Sequence, residues 1–237
     1  MSKMFLMIFL TSMMTLTLTD SLLAQTQMPV EWNWASVSSS NLHTVAVRAD
    51  GTLWSWGMNG FQNNGWWHGD GQLGDGTVTN RNIPVQIGTD TNWATVSAGH
   101  NHSAAIKTDG TIWTWGGNQA GQLGNGSSQG QVFDRNPQPN TVPIQVGSDT
   151  NWVVVSTGGD SHFSGESWGR TVAIRADGTL WAWGRGHGTS PVQIGTDTNW
   201  MYVSTGRNHT VAIRADGTLW AWGENRDGRL GDGTTRN

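Results

Sequence analysis

Three of the chain's seven histidines, His43, His102 and His209, recur in one setting, directly ahead of a Thr/Ser-x-Ala run. Repeated histidines invite a metal reading, since neutral imidazole is a common ligand, but a metal needs three or four donors converging on one point. Equivalent positions of successive repeats diverge instead, and the third repeat carries Arg170 at this place. These histidines are therefore read as hydrogen-bonding residues that shape a hairpin. His100 and His102 alternate along one run and are too few for a ligand set. The Asp-Gly pairs at Asp50, Asp109, Asp177 and Asp216 are turn residues, and none fits a twelve-position calcium loop. Gly121-Gln122-Leu123-Gly124-Asn125-Gly126 lacks the Lys and Ser/Thr of a phosphate-cradling loop. Serines are common and acids sit in turns, but no nucleophile-elbow spacing or Gly-x-Ser-x-Gly is read among them. No catalytic residue, metal or cofactor is expected, and the chain is not read as an enzyme.

The unusual feature is aromatic. Sixteen tryptophans accompany a single tyrosine, and four of them, Trp32, Trp66, Trp67 and Trp168, fall outside the repeats. Phe61, Trp66, Trp67 and His68 cluster in one polar stretch, and His162, Phe163, Glu166 and Trp168 in another. Exposed aromatics in Gly/Asn-rich loops suit a protein hot spot or stacking on a sugar. The plainer alternative is that they fold back over a local gap.

These residues depend for their positions on a phrase said four times. Thr171 to Gly184 reads TVAIRADGTLWAWG, Thr210 to Gly223 repeats it unchanged, and looser copies stand at Thr44 to Gly57 and Ser103 to Gly116. Each copy is two alternating runs around Asp-Gly, a strong short-range signal for a β-hairpin. Units lead off at Trp34, Trp93, Trp152 and Trp200, spaced by 59, 59 and 48 residues. Nine extra residues lie between Gly57 and Gly71, nine between Gly126 and Pro143, and nine between Ser156 and Arg170, while eleven are missing between Gly184 and Pro191. Corrected for these, each complete unit is 50 residues long.

Every unit offers four strand-like runs. Run A follows the leading tryptophan, B is Val-Ala-Ile in type, C is Leu-Trp-x-Trp, and D is Pro-x-Gln-Ile/Val at Pro84 to Ile87, Pro143 to Val146 and Pro191 to Ile194. Four short strands repeating near 50 residues match propeller blades. Proline at the start of D suits an outer edge strand, where a missing N–H loses no ladder bond. Alternation sets Trp181 and Trp183 on one face, so the Trp-x-Trp pairs are read as core between blades. With antiparallel strands, the A–B and C–D connections share one rim, and all three insertions fall there. The insertion from Ser127 to Asn140 is read as a mobile loop; the other two are the candidate binding surface.

The string W-x-x-V-S-x-G-x-x-H-T/S-x-A-I-x-x-D-G-T-L-W-x-W-G-x-N-x-x-G-Q-L-G, clearest in Trp93 to Gly126 and Trp200 to Gly233, resembles the regulator-of-chromosome-condensation repeat. The resemblance covers residues 34 to 237 and implies an all-β propeller of four-stranded antiparallel blades, usually seven in number. Members of that family exchange nucleotide on a small GTPase, sense ultraviolet-B light or, as secreted bacterial proteins, inhibit β-lactamases. Trp168-Gly169-Arg170 is a faint echo of the light sensor's tryptophan and arginine cluster. Four units stand here, and the fourth stops at Asn237 where another D run is due, so the sequence is read as truncated. Alternatively, Met28-Pro29-Val30 supplies the missing outer strand, or two chains close one ring.

Residues 1–24, with Lys3, an apolar run from Met4 and a small-residue site at Ala24, have the layout of a secretory signal peptide, leaving 25–237 as the repeat domain. A secreted, periplasmic or cell-surface location is expected, with no membrane span in the mature chain. Net charge is −4 and the only lysines are Lys3 and Lys107, which excludes a phosphate-neutralising stripe and disfavours nucleic acid. Cysteine is absent, so disulfides and thiolate chemistry are excluded. The expected function is a secreted, non-enzymatic scaffold that binds a protein through one rim. A carbohydrate-binding module, with a glycan partner, is the first alternative, and guanine-nucleotide exchange, by resemblance alone, the second.

Overall fold

The computed structural model describes residues 32–63, 66–68, 70–128, 140–159 and 169–236. The chain divides into residues 1–32 and 33–237, and of the first unit only Trp32 is described. The proposed signal, its cleavage site and Met28-Pro29-Val30 lie outside the described residues.

The second unit is a series of antiparallel sheets, each made from one sequence repeat. Blade 1 comprises β1 (Trp34–Ser39), β2 (His43–Arg48) and β3 (Leu53–Gly57). After a small hairpin of β4 (Phe61–Asn63) and β5 (Trp66–His68) it is completed by β6 (Arg81–Ile87). Blade 2 comprises β7 (Trp93–Ala98), β8 (His102–Lys107), β9 (Ile112–Gly116) and β10 (Asn140–Gln145). Blade 3 comprises β11 (Trp152–Gly158), β12 (Arg170–Arg175), β13 (Leu180–Gly184) and β14 (Gly188–Gln193). Blade 4 has three strands, β15 (Trp200–Thr205), β16 (His209–Arg214) and β17 (Leu219–Gly223). Within each blade, strands lie side by side in chain order. No helix among the described residues is long and apolar enough to cross a membrane.

The outer strands refine one expectation. Pro84, Pro143 and Pro191 do lie on the edge strand, but that strand starts three residues earlier, at Arg81, Asn140 and Gly188. Each proline falls where the register shifts, between Arg81 and Val85, Asn140 and Ile144, and Gly188 and Val192. An edge and a bulge are the two places in a sheet that tolerate a missing N–H, and here they coincide.

A second bulge decides which residues meet. In a regular strand Trp93 and Val96, three apart, would face opposite ways. The register slips by one residue between Trp93 and Thr95, and likewise after Trp34, Trp152 and Trp200. The extra residue turns the leading tryptophan onto the same face as the valine. Each blade thereby has two unlike faces. One carries the leading tryptophan, the Trp-x-Trp pair and the alanine of the second strand. The other is aliphatic. Val45, Val47, Leu53 and Ile87 of blade 1 pack against Trp93, Val96, Ala105 and Trp115 of blade 2. The same arrangement joins Ala104, Ile106, Ile112 and Val146 to Trp152, Val155, Ala173 and Trp183. A third copy joins Ile174, Leu180 and Ala182 to Trp200, Val203 and Ala212. Trp115 and Trp183 are wholly buried, confirming the Trp-x-Trp pairs as core between blades.

The repeated phrase also closes the rim formed by the B–C and D–A turns. Asp109 Oδ1 accepts from the Thr111 backbone N–H (3.0 Å) and hydroxyl (2.7 Å), and the Thr111 hydroxyl accepts from Trp113 Nε1 (2.9 Å). Blades 1, 3 and 4 repeat this Asp–Thr–Trp chain. The cation ending the second strand lies over two tryptophans: Lys107 Nζ is 4.6 Å from the Trp93 ring centre and 4.0 Å from that of Trp113. Arg175 and Arg214 do the same, and the three cations pair with Asp90, Asp149 and Asp197.

The Asp-Gly glycine is pressed against the chain entering the next blade. Gly178 has φ +76° and a Cβ there would overlap the Thr198 carbonyl, whereas Gly217, at φ +79° in blade 4, faces nothing within 4 Å. Both would be strained by a side chain, but Gly178 alone would also collide. Gly217→Ala is expected to cost about 1 kcal/mol and Gly178→Ala at least about 3 kcal/mol, measured by urea unfolding. Equal costs would contradict this close approach between blades.

Candidate functional site

On the opposite rim, A–B and C–D connections meet, and their lengths differ from blade to blade. The C–D connection of blade 1 runs from residue 58 to 80 and that of blade 2 from 117 to 139, while that of blade 3 is just 185–187. The A–B connection of blade 3 spans 159–169.

A buried asparagine organises each long C–D connection. Asn59 Oδ1 accepts from Leu73 N (2.9 Å), its amide donates to Thr77 O (2.8 Å), and its backbone N–H donates to Asn80 Oδ1 (2.7 Å). Asn118 Oδ1 accepts from Leu123 N at 3.1 Å and Asn225 Oδ1 from Leu230 N at 3.0 Å. An amide is suited to this because it donates and accepts at once across a loop that has no ladder of its own. The asparagine is visible in the repeat string as Gly-x-Asn, yet this role was not assigned to it from the sequence. Its signal was recurrence, in three of the four repeats, two residues after the glycine that closes the Trp-x-Trp-Gly run.

The loop tips then reach the next blade. The Gln72 carbonyl accepts from Trp115 Nε1 (2.8 Å) and the Ser103 hydroxyl (2.8 Å), and the Gln122 carbonyl accepts from the Thr171 hydroxyl (2.8 Å). The recurrent histidines take part: His43 Nε2 bonds Ser103 Oγ at 2.7 Å and His102 Nε2 bonds Thr171 Oγ1 at 3.0 Å. They were expected to shape hairpins, and Ser40 Oγ does meet His43 Nδ1 at 3.1 Å. Their principal bond, however, crosses to the following blade. Burial, with a smaller contribution from His100, lowers the His43 pKa to about 3. Burial, then His43 and His100, lowers that of His102 to about 3.

Between blades 3 and 4 both ties are missing. Arg170 replaces the histidine, the shortened connection has no Gln-Leu-Gly, and Thr210 Oγ1 is buried without a partner.

Of the expected binding residues, Phe61, Trp66, Trp67 and His68 form the β4–β5 hairpin, with Phe61 opposite His68, Gln62 opposite Trp67 and Asn63 opposite Trp66. A polar loop was expected, and the short antiparallel pair is a finding of the structure. Its base is held at both ends: Gly60 N donates to Asn80 Oδ1 (3.0 Å), and Asp70 accepts from Asn101 (3.3 Å) and Gln119 (2.9 Å) of blade 2. His162, Phe163, Glu166 and Trp168 lie outside the described residues, as do 129–139 of the expected mobile loop.

One motif was missed in the sequence: Gly165-Glu166-Ser167-Trp168-Gly169 spells Gly-x-Ser-x-Gly. A nucleophile elbow joins a strand to a helix, whereas the strands flanking this segment, β11 and β12, pair antiparallel with each other. Its setting is therefore that of a hairpin connection. Among the described residues, no group of three or more His, Asp or Glu is placed to hold a metal ion.

Two models of the regulator of chromosome condensation (RCC1) repeat match the chain, one at residues 34–63, 93–122 and 202–229, the other at 50–106 and 109–163. The ultraviolet-B receptor UVR8 of Arabidopsis thaliana is 30% identical over 146 residues, covering 61% of this chain and 28% of the receptor. The protein RCC2 homolog of Danio rerio is 32% identical over 119 residues, 47% of this chain and 22% of that protein. Among solved structures, human WBSCR16 superposes with a TM-score of 0.69 at 19% identity, over 90% of this chain and 53% of its own. Yeast RCC1 (Prp20), bound to Kap60, gives 0.65 at 19% identity over 89% and 48%. The chain thus spans about half of each solved relative and less than a third of these two curated ones.

The histidine bridges make stability depend on pH. In the unfolded chain histidine titrates near 6.5, and in the fold His43 and His102 do so near 3. Between those values the unfolded chain binds more protons, so stability must fall as pH drops below about 6.5, by about 1.4 kcal/mol per pH unit for each histidine. The urea midpoint should be lower at pH 5 than at pH 7, with His102→Gln removing part of that slope. Separately, Arg170→His should offer Thr210 the missing partner and raise stability by about 1 kcal/mol. An unchanged urea midpoint would mean that this bond does not form.

Proposed function

From the premise that the chain belongs to the family of RCC1-repeat β-propellers, we propose that it is a secreted, non-catalytic scaffold that binds a protein through the rim bearing the insertions. The observation that carries this reading is the asymmetry between rims. On one, the Asp–Thr–Trp chains and Trp-stacked cations recur from blade to blade. On the other, every departure from the common unit is found, including a hairpin that belongs to no blade. Variation concentrated on one face of a repeat array is how such proteins build recognition on a shared framework.

The β4–β5 hairpin is the favoured contact. It puts Phe61, Trp66, Trp67 and His68 on a regular, hydrogen-bonded element whose base is tied to Asn80 and, through Asp70, to blade 2. An aromatic side chain has few rotatable bonds and loses little entropy on binding, which is what makes tryptophan an effective anchor. The fold is compatible with protein recognition: yeast RCC1 (Prp20) has been crystallised with Kap60. Secretion rests on the signal layout of residues 1–24.

The test is pull-down with the purified chain from the secretions and cell envelope of its own host, comparing it with the Trp66→Ala, Trp67→Ala double variant. Loss of a hot-spot tryptophan is worth about 2 kcal/mol or more, so retention of a specific protein should fall at least about tenfold, with the thermal midpoint unchanged. Equal retention by both forms would remove the hairpin from the proposal. Binding to a polysaccharide array that disappears in the double variant would instead favour the glycan alternative.

A further inference from the structure

The junction of blades 3 and 4 keeps the receiving half of a latch whose other half is missing. Between blades 1 and 2, Ser103 and Trp115, paired opposite each other, both donate to the Gln72 carbonyl. Between blades 2 and 3, Thr171, opposite Trp183, donates to the Gln122 carbonyl. Gly74 and Gly124 cross these two indoles so closely that an added Cβ would stand 2.7 Å from the ring nitrogen. Thr210 and Trp222 hold the same register in blade 4. The connection that would cross them is the short one of blade 3, residues 185–187, which carries no Gln-Leu-Gly. Thr210 is 1% exposed and its hydroxyl has no partner. The Trp222 indole N–H has none among the described residues, and Trp222 is half-buried where Trp115 and Trp183 are fully enclosed. We propose that this notch takes an extended, acidic peptide segment of a partner protein, which crosses Trp222 as the latch crosses its counterparts and sets a carboxylate on Arg170.

That the occupant is a peptide follows from the two complete junctions, where a stretch of backbone fills the corresponding position. That it is acidic follows from Arg170. This residue stands where His43 and His102 stand in their blades, so a permanent charge replaces a neutral bridge to the next blade. Arg170 is half-buried, and among the described residues no carboxylate pairs with it. Burial and then Arg185 push its pKa down, and burial and then Arg170 push down that of His187 in the short connection. Arg185 reaches Asn208 of blade 4 at 2.9 Å. A half-buried guanidinium is unfavourable without a counter-charge, and a carboxylate is the group its planar fork holds through two bonds at once.

The notch lies on the rim that bears the insertions, and the proposal rests on reading that rim as the protein-binding surface. It adds what the partner must bring: a backbone carbonyl for the Thr210 hydroxyl and the Trp222 N–H, and an acidic side chain for Arg170. The half-buried indole and guanidinium are the groups such a segment meets first. A partner segment that completes an interrupted element of a fold gains affinity from main-chain bonds and specificity from one pocket, here a cationic one.

The probe is the peptide acetyl-Gly-Glu-Leu-Gly-amide, the latch sequence with an acid in place of its glutamine. It is titrated to millimolar concentration onto the purified chain while the indole N–H resonance of Trp222, assigned by its loss in Trp222→Phe, is followed. The resonance should shift and saturate, and Arg170→Gln should weaken binding at least tenfold, as should the peptide with glutamine restored. Thr210→Val removes an unpartnered hydroxyl, so it should weaken binding with the thermal midpoint unchanged or raised. The Trp66→Ala, Trp67→Ala double variant is altered elsewhere on the rim and should bind the peptide as the unaltered chain does. The absence of a saturable shift, equal binding of the glutamine peptide, or the same shift from acetate alone would each overturn the proposal. If capture that depends on the hairpin persists when the peptide fails, the failure belongs to this notch and not to the scaffold reading.

Discussion

The fold depends on a contact between unlike surfaces. A leading tryptophan can rest on the aliphatic face of the previous blade because a bulge two residues into each first strand brings Trp93 and Val96 to one side. Burying an indole of this size is worth several times an ordinary hydrogen bond, and edge-to-face contact with the Trp-x-Trp rings adds to it. Trp93 lies 5.8 Å from Trp113 and 6.5 Å from Trp115, both steeply inclined, and Trp152 and Trp200 repeat the pattern. Since the surfaces are unlike, blades can be added in one order and one direction. The array grows like a stack of cups, and what differs between blades is relegated to the loops.

That division of labour explains how much was legible in the sequence. The alternation of TVAIRADGTLWAWG and its Asp-Gly turn specify two strands, and the fourfold recurrence specifies a blade, because both signals are local. The pairing of His43 with Ser103 was not legible, since nothing within one repeat says which neighbour its side chain will meet. The bulge after each leading tryptophan escaped for a related reason: a single extra residue leaves no mark on composition, and shows itself only in which faces come together. The outer strands lie on the edge that proline indicates but begin three residues before it, because the proline sits at a bulge within the strand and does not open it, and a bulge leaves no local mark.

For the candidate rim, the sequence located the insertions and the topology placed them on one side. It did not foresee a hairpin at Phe61 to His68. Three residues per strand carry too short an alternation to be read, and the pairing rests on an asparagine-centred scaffold around Asn59 that only the folded chain assembles.

The junction of blades 3 and 4 has a kinetic meaning. There, among the described residues, the array loses the histidine bridge and the Gln-Leu-Gly latch together, while retaining the Trp200 contact, the Ser156 bond and a bond from Arg185 to Asn208. Local opening follows the weakest boundary between cooperative units. Among the described residues, the boundary short of these two bonds is the one at which a first opening between blades is expected, so the breathing of this array has an address, at Thr210.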